Sequence, residues 1–358
     1  MAKTQVRRRT VTKRKLRLPA PKGSAKPKAP ARRLRVHVAH SPSTVDSQRL
    51  TPARLATAAK AFPGVLRHVE VSYGDDGEAL DAALSQSDVL LLAGTIDLGG
   101  LAARAPRLKW LQSMSAGVES LIPMVPPEVT LTNASGVHGP RGGEYAMTAV
   151  LMLNSRVPQF VTNQRAARWK QVHSTRVAGK TVVIVGVGVI GGEAARLAKR
   201  FGMRVVGVTR SGKTHRFVDR MFRPDRLDKV LPLADFVVVT LPHTSSTRGL
   251  LGRSELDLLP HHAGIVNVGR SRVMDYAALA EKLRRSELSG AVLDVFDQEP
   301  LPADSPLWSV PNLILSPHCG VDDESVYVER CLDIFLDNLR RFAAGRPLRN
   351  VVDPKLGY

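Results

Sequence analysis

Three ionisable residues each follow an apolar run that reads as a buried strand. Gly264 to Val268 runs into Gly269-Arg270-Ser271, and Gly290 to Val295 into Phe296-Asp297-Gln298-Glu299-Pro300. Leu313 to Leu315 runs into Ser316-Pro317-His318-Cys319-Gly320. Reducing a 2-oxo acid by hydride transfer needs three functions that these types supply. An arginine fork binds a carboxylate in two places and polarises the carbonyl beside it. A histidine donates a proton near neutral pH, and a glutamate bonded to that imidazole keeps it charged and oriented. Each residue alone also has a plainer reading, Arg270 as a phosphate or solvent contact and His318 as a satisfied structural group.

The element that must place a hydride carrier beside them is Thr181 to Gly192, TVVIVGVGVIGG. The β-branched run Val182 to Val185 suits a strand buried on both faces. Gly186, Gly188 and Gly191 then give G-x-G-x-x-G, with Val189 and Ile190 between, and helix formers follow. Glycine spacing alone is weak; the strand before it and the helix after it make it a dinucleotide-binding turn. Gly186 permits the turn, Gly188 admits the pyrophosphate to the backbone, and Gly191 lets the helix lie on the strand. The helix N-terminus offers its N–H groups to phosphate. The next strand, Met203 to Val208, ends in Thr209-Arg210-Ser211 without the carboxylate that would hold a ribose 2′-OH. Arg210, with Lys213, His215 and Arg216 nearby, suits a 2′-phosphate, so NADP(H) is favoured and NAD(H) stays open.

Upstream, RVHVAH at Arg35 to His40 is a strand, and Thr51 with Pro52 opens a helix reaching Phe62. Strands are expected at Val65 to Val71, Asp88 to Leu92, Leu108 to Gln112 and Thr130 to Asn133, with a short helix at Gly77 to Ser85. The small-residue turn Ser115-Ala116-Gly117-Val118 exposes N–H groups that can cradle a carboxylate, though a plain strand-to-helix turn fits it as well. Residues Gly142 to Gln164 read as one long apolar helix, broken near Pro158 and buried between domains or subunits. The last helix, Ser325 to Ala344, returns to the first domain.

The net charge of +20 resides largely in a tail. Residues 1–35 hold 14 Lys and Arg and no acid, which leaves 38 basic against 32 acidic residues in the remainder. The tail is expected to be disordered. An incidental extension, a weak contact with nucleic acid or an anionic membrane, and a cleaved transit peptide are its three readings. Two cysteines cannot form a disulfide framework and suggest a reducing, cytoplasmic setting. No apolar run approaches the ~20 residues of a membrane span. His138, His173, His243, His261 and His262 lack a partner at metal-ligand spacing, so no metal is expected and their roles are structural or solvated.

From about Arg35 to Tyr358 the chain resembles the D-isomer-specific 2-hydroxyacid dehydrogenases. GVGVIG is similar to that family's cofactor turn, NVGRS at Asn267 to Ser271 to its N-x-x-R-G segment, and LDVFDQEP at Leu293 to Pro300 to its D-V-F-x-x-E-P segment. The resemblance implies Arg270, Glu299 and His318 as the catalytic trio, spaced by 29 and 19 residues as in the family. It implies Asp294 as the residue holding the nicotinamide carboxamide, and Ser115, Ala116 and Gly117 with Arg270 and His318 around the substrate. Gly186, Gly188, Val189, Ile190, Gly191, Thr209, Arg210, Ser211, Pro242, Val268 and Gly269 would line the dinucleotide. Met114 and the loop near Gly94 would shape the substrate's side chain. Ser271 departs from the family's glycine. The Thr209-Arg210 end and GVHGPRGGEYAM are similar to the glyoxylate/hydroxypyruvate reductase branch.

The implied architecture is α/β, two Rossmann-like doubly wound domains with a cleft between them. Residues 35–136 and 319–350 would form a flavodoxin-like substrate domain, and residues 137–318 the NAD(P)-binding domain, behind a basic tail at 1–34. The implied activity is reduction of a small 2-oxo acid to the D-2-hydroxy acid, by an expected homodimer. An alternative within the family is a dinucleotide-dependent interaction platform like the C-terminal-binding-protein corepressors, which the intact trio argues against. A formate enzyme would carry Gln where Glu299 stands.

Overall fold

The apolar runs become parallel strands because both faces of each are covered. In the computed structural model, which describes residues 33–42, 44–74, 77–94 and 96–357, β1 is Leu34–His40, α1 Pro52–Ala59, β2 Val69–Tyr73 and α2 Gly77–Gln86. There follow β3 Val89–Ala93, α3 Leu101–Arg104, β4 Trp110–Ser113 and β5 Thr130–Thr132. These strands form one five-stranded parallel sheet in the order β2-β1-β3-β4-β5, the flavodoxin-like order. The expectation for the tail falls on residues outside those described.

The second half contains α4 Gly139–Asn154, α5 Val157–Arg165, β6 Thr181–Val185, α6 Val189–Arg200, β7 Arg204–Val208 and β8 Arg220–Phe222. After these come α7 Leu227–Val230, β9 Phe236–Val239, α8 Arg253–Asp257, β10 Gly264–Asn267 and α9 Tyr276–Arg284. The chain ends in β11 Gly290–Leu293, β12 Leu313–Leu315 and α10 Tyr327–Ala343. The seven-stranded parallel sheet runs β12-β11-β10-β9-β6-β7-β8, so the order reverses between β6 and β9. In such sheets that reversal opens the ligand crevice at the strands' carboxyl ends.

Each sheet carries a core on both faces. Val36, Val38 and Trp110 pack under α10 through Phe335, Leu336 and Leu339, while Leu90, Leu92 and Leu111 face the opposite layer. The Trp110 ring stacks on Phe335 with centroids 5.4 Å apart, and its Nε1 donates to Thr132 Oγ1 at 2.7 Å. In the second sheet Val183, Val185, Val237 and Ile265 face one layer, and Val182, Ile184, Val238 and Val266 the other. Helix α10 therefore returns to the first sheet, as expected.

Several expectations shift. The strand expected from Val65 starts at Val69, because Gly64 at φ +79° and the bonds Val65 N–H to Phe62 O and Arg67 N–H to Gly64 O fold that stretch into turns. The long helix is two. Its break lies at Arg156, in the left-handed region at φ +60°, with Pro158 in the first turn of α5. Of its two expected settings, between domains or between subunits, the first does not hold for α4. It lies against α6, where a Cβ on Gly143 would come within 2.6 Å of Glu193 Cβ, and its apolar face joins the core of the seven-stranded sheet. Strand β8, too short to show periodicity, was not anticipated.

Candidate active site

The glycine turn after β6 has the three properties its sequence implies. Gly186 sits at φ +106°, which glycine adopts without penalty. A Cβ on Gly188 would meet nothing within 4 Å, while one on Gly191 would stand 2.0 Å from Gly186 O. The turn is thus open at one glycine and closed against its own strand at the other. Thr240 Oγ1 donates to Gly186 O, fastening the turn to the end of β9.

Next to it lies a cavity of about 950 Å³. Gly186, Gly188, Val189, Ile190, Thr209, Arg210, Ser211, Pro242, Val268, Gly269 and Arg270 line it, and so do Ala116 and Gly117 from the other sheet. Gly191 lies beneath the turn, as close helix-strand packing requires. The residues fit a dinucleotide: an open glycine turn, then Thr209, Arg210, Ser211, Lys213 and Arg223 at the far end. Arg223, just beyond β8, gave no sequence signal because its approach depends on pairing of β8 with β7.

Arg270 reaches across to the first sheet. Its Nη2 lies where a Cβ on Gly117 would be only 1.8 Å away, so the guanidinium rests on the glycine backbone. Its Nη1 donates to Gly269 O at 2.9 Å and its Nε to Glu119 Oε1 at 3.1 Å. Asn267 Nδ2 donates to Arg270 O at 3.1 Å and to Tyr276 Oη at 3.0 Å. The Tyr276 hydroxyl donates in turn to Val295 O at 2.9 Å, and burial raises its pKa far above the usual phenol value. Ser271, the departure from the family's glycine, donates its Oγ–H to Asp297 Oδ1 at 2.7 Å. It links the Arg270 loop to the segment carrying Glu299.

His318 Nδ1 and Glu299 Oε2 are 2.7 Å apart, and Glu299 Oε1 accepts from Phe296 N–H at 2.8 Å. The carboxylate is thereby fixed by its own loop and the imidazole by the carboxylate. His318 sits at φ +50°, uncommon for a residue with a Cβ. The structure shows what holds it there. Asp294 Oδ1 accepts from Ser316 Oγ at 2.6 Å, Cys319 N at 3.3 Å and Gly320 N at 3.1 Å. Tyr145 Oη bonds to Ser316 Oγ from α4, and a Cβ on Gly320 would collide with the Tyr145 ring at 2.5 Å.

Besides Gly191, four expected site residues, Glu299, His318, Asp294 and Ser115, are not among those that line the cavity. Asp294 is fully buried and its oxygens are engaged by the 316–320 loop, so the structure places it behind His318 rather than in the cavity wall. Burial also raises its pKa, against the pull of its bonds to Ser316 and Gly320. Ser115 donates its N–H to Ser113 Oγ at 3.0 Å and accepts from Ala134 N–H, so that group is already committed. Among the described residues the N–H groups of Ala116 and Gly117 have no protein acceptor, which narrows the cradle to those two. Met114 is turned into the core, its carbonyl accepting from Tyr327 Oη at 2.8 Å.

Like Arg223, two other cavity residues stand out only in the structure. Glu119 follows the small-residue loop and had no sequence partner. His138 reads as structural in the sequence, yet it lines the cavity. Its Nδ1 lies 3.3 Å from Asp322 Oδ1. Burial holds its pKa below the imidazole range, with Asp322 opposing and the charges of His318 and Arg270 reinforcing the shift. His138 thus lies within electrostatic reach of both expected catalytic cations.

A reversed-order parallel sheet with an open glycine turn, and with an Arg, a Glu and a His after its strands β10, β11 and β12, defines a dinucleotide-dependent α/β oxidoreductase. Comparison with known proteins agrees. Residues 147–320 match the family model for the NAD-binding domain of D-isomer specific 2-hydroxyacid dehydrogenases. The chain is 31% identical to glyoxylate/hydroxypyruvate reductase B of Pectobacterium atrosepticum over 309 residues, 81% of this chain and 93% of that one. It is 30% identical to a glyoxylate reductase of Aeropyrum pernix over 289 residues, 77% and 86% of the two chains. A solved D-isomer specific 2-hydroxyacid dehydrogenase of Xanthobacter autotrophicus Py2, in complex with NADPH and MES, superposes with a TM-score of 0.76 at 30% identity, covering 90% of this chain and 99% of that one. The chain belongs to the D-isomer specific 2-hydroxyacid dehydrogenases, in their glyoxylate/hydroxypyruvate reductase-like branch, and is an NAD(P)-dependent oxidoreductase.

Proposed function

We propose that the protein reduces a small 2-oxo acid, glyoxylate, hydroxypyruvate or a close relative, to the D-2-hydroxy acid, with NADPH preferred over NADH. The observation that carries this reading is Arg270, fixed at the end of β10 yet seated on Gly117 of the opposite sheet. There it can hold a carboxylate between the cradle and the glycine turn. The catalytic roles then fall to Arg270, Glu299 and His318. In this reading residues 35–136 and 319–350 form the substrate domain and residues 137–318 the dinucleotide domain.

When bound, the dinucleotide supplies the hydride. Arg270 and the N–H groups of Ala116 and Gly117 hold the substrate carboxylate and orient its carbonyl. Glu299 accepts from His318 Nδ1–H, which leaves Nε2 to carry the proton given to the carbonyl oxygen. Asp294, Ser316 and Tyr145 hold the His318 loop in place. Residues from both sheets line the cavity in which the substrate would lie.

NADPH preference rests on Arg210, Lys213 and Arg223 at the far end of the cavity and on the missing carboxylate after β7. The test is the ratio of kcat/KM for NADPH to that for NADH, with hydroxypyruvate or glyoxylate, in the parent and in Arg210→Asp. Loss of a charged hydrogen bond to phosphate predicts at least about a tenfold fall in that ratio. An unchanged ratio contradicts the phosphate assignment. No turnover of any 2-oxo acid despite dinucleotide binding contradicts the function itself.

A further inference from the structure

We propose that Glu119 is a specificity-determining residue of this site, selecting 2-oxo acids with a single negative charge against those with a second carboxylate. The proposal rests on the assignment of Arg270 to the substrate carboxylate. Glu119 Oε1 lies 3.1 Å from Arg270 Nε, with the two side chains 29% and 31% exposed. Among the described residues Arg270 is its only ion-pair partner. A Cβ on Gly117 would meet Arg270 Nη2 at 1.8 Å and Glu119 Oε2 at 2.9 Å, so the carboxylate and the guanidinium close over the same glycine. Nη1, meanwhile, is tied to Gly269 O. The chain's own carboxylate thus sits at the Nε edge of the guanidinium, beside the loop that would cradle the substrate.

Two consequences follow from charge alone. The single positive charge of Arg270 is already shared with Glu119 before a substrate arrives. A monoanionic acid brings one more negative charge to the pair and can share Arg270 or turn Glu119 aside. A dianionic acid brings two. Its second carboxylate has Glu119 as a neighbour within a partly enclosed cavity, where repulsion is screened less than in bulk water. Of the other cavity cations, Arg210 and Lys213 lie in the turn after β7 and Arg223 just beyond β8, where they would serve a phosphate. Glutamine at position 119 keeps the shape and the hydrogen bond to Nε but removes the charge.

The experiment compares two acids of equal size, oxaloacetate and its 4-amide, 2-oxosuccinamate. Each is read as kcat/KM with NADPH or, where turnover is too slow, as Ki against hydroxypyruvate. The expected result is that the parent disfavours oxaloacetate by about tenfold or more, largely in KM or Ki. Glu119→Gln should close at least half of that gap on a logarithmic scale, and Glu119→Asp, which keeps the charge, should leave most of it. Equal handling of the two acids by the parent overturns the proposal without any variant. So does a parallel gain for both acids in Glu119→Gln, because Glu119 would then merely compete for Arg270. Failure of the parent to reduce hydroxypyruvate, glyoxylate or any other monoanionic acid would instead overturn the proposed function on which this rests.

Discussion

The turn after β6 and the loop after β4 are both short, small-residue connections at the carboxyl end of a parallel strand, yet they are supported differently. Gly186 and Gly191 constrain each other within six residues of chain, with Thr240 from the adjacent strand as the fastening. The loop at Ala116 and Gly117 takes its shape from distant chain. Asn133 Nδ2 donates to Ala116 O at 2.9 Å, Tyr327 of α10 holds Met114 O, and Arg270 of the other sheet rests on Gly117. The glycine turn is a local structure, whereas the loop after β4 is completed only across the cleft. The glycine turn's part in dinucleotide binding should therefore depend on residues near one another in sequence, and substrate binding on residues far apart.

Gly191→Ala should do the most damage. Its Cβ would meet a backbone oxygen at 2.0 Å, and backbone cannot swing aside as a side chain does. The expected cost is about 1–3 kcal/mol of stability with a clear loss of NADPH affinity, read by Tm and by fluorescence titration. Gly117→Ala should behave otherwise, since the atom it meets is the far end of Arg270. Displacing a charge-assisted contact predicts a rise of about tenfold or more in KM for the 2-oxo acid, with Tm and NADPH affinity nearly unchanged. Equal loss of both affinities in either variant would break the comparison. Tyr145→Phe removes one partner of Ser316 behind His318. A loss of about 0.5–1.5 kcal/mol is expected, with kcat falling several-fold and KM little altered.

The smallest effect concerns pH. Burial holds the folded pKa of His138 below its ordinary value, so the unfolded chain takes up that proton first as pH falls. Stability is therefore full above the unfolded value, about 6.5, and declines as pH drops from there toward the folded pKa. His138→Gln should flatten the fall in Tm between about pH 7.5 and 5.5. An identical slope in the variant would show that other groups govern it.

The same division explains what could be read from sequence. The glycine turn, the strands that precede it and follow it, and the return of α10 were legible, because apolar periodicity and glycine spacing report on local structure. So was the encounter of Glu299 with His318, through family spacing. The approaches of Glu119 to Arg270, Arg223 to the cofactor cavity and Asp294 to the 316–320 loop were not. Each depends on which strands are neighbours, and nothing in the few residues around it carries that information. The helix break expected near Pro158 falls at Arg156, whose left-handed conformation gives no sign in residue type.

In the proposed mechanism His318, held by Glu299 and reached by a substrate bound on Arg270, delivers the proton in 2-oxo acid reduction. The most direct test measures NADPH oxidation with hydroxypyruvate and glyoxylate by the parent and by His318→Gln, alongside NADPH binding. Turnover is expected in the parent and a fall in kcat of about 10²–10⁴-fold in the variant, with the NADPH dissociation constant unchanged. A variant that retains parental kcat would contradict the mechanism.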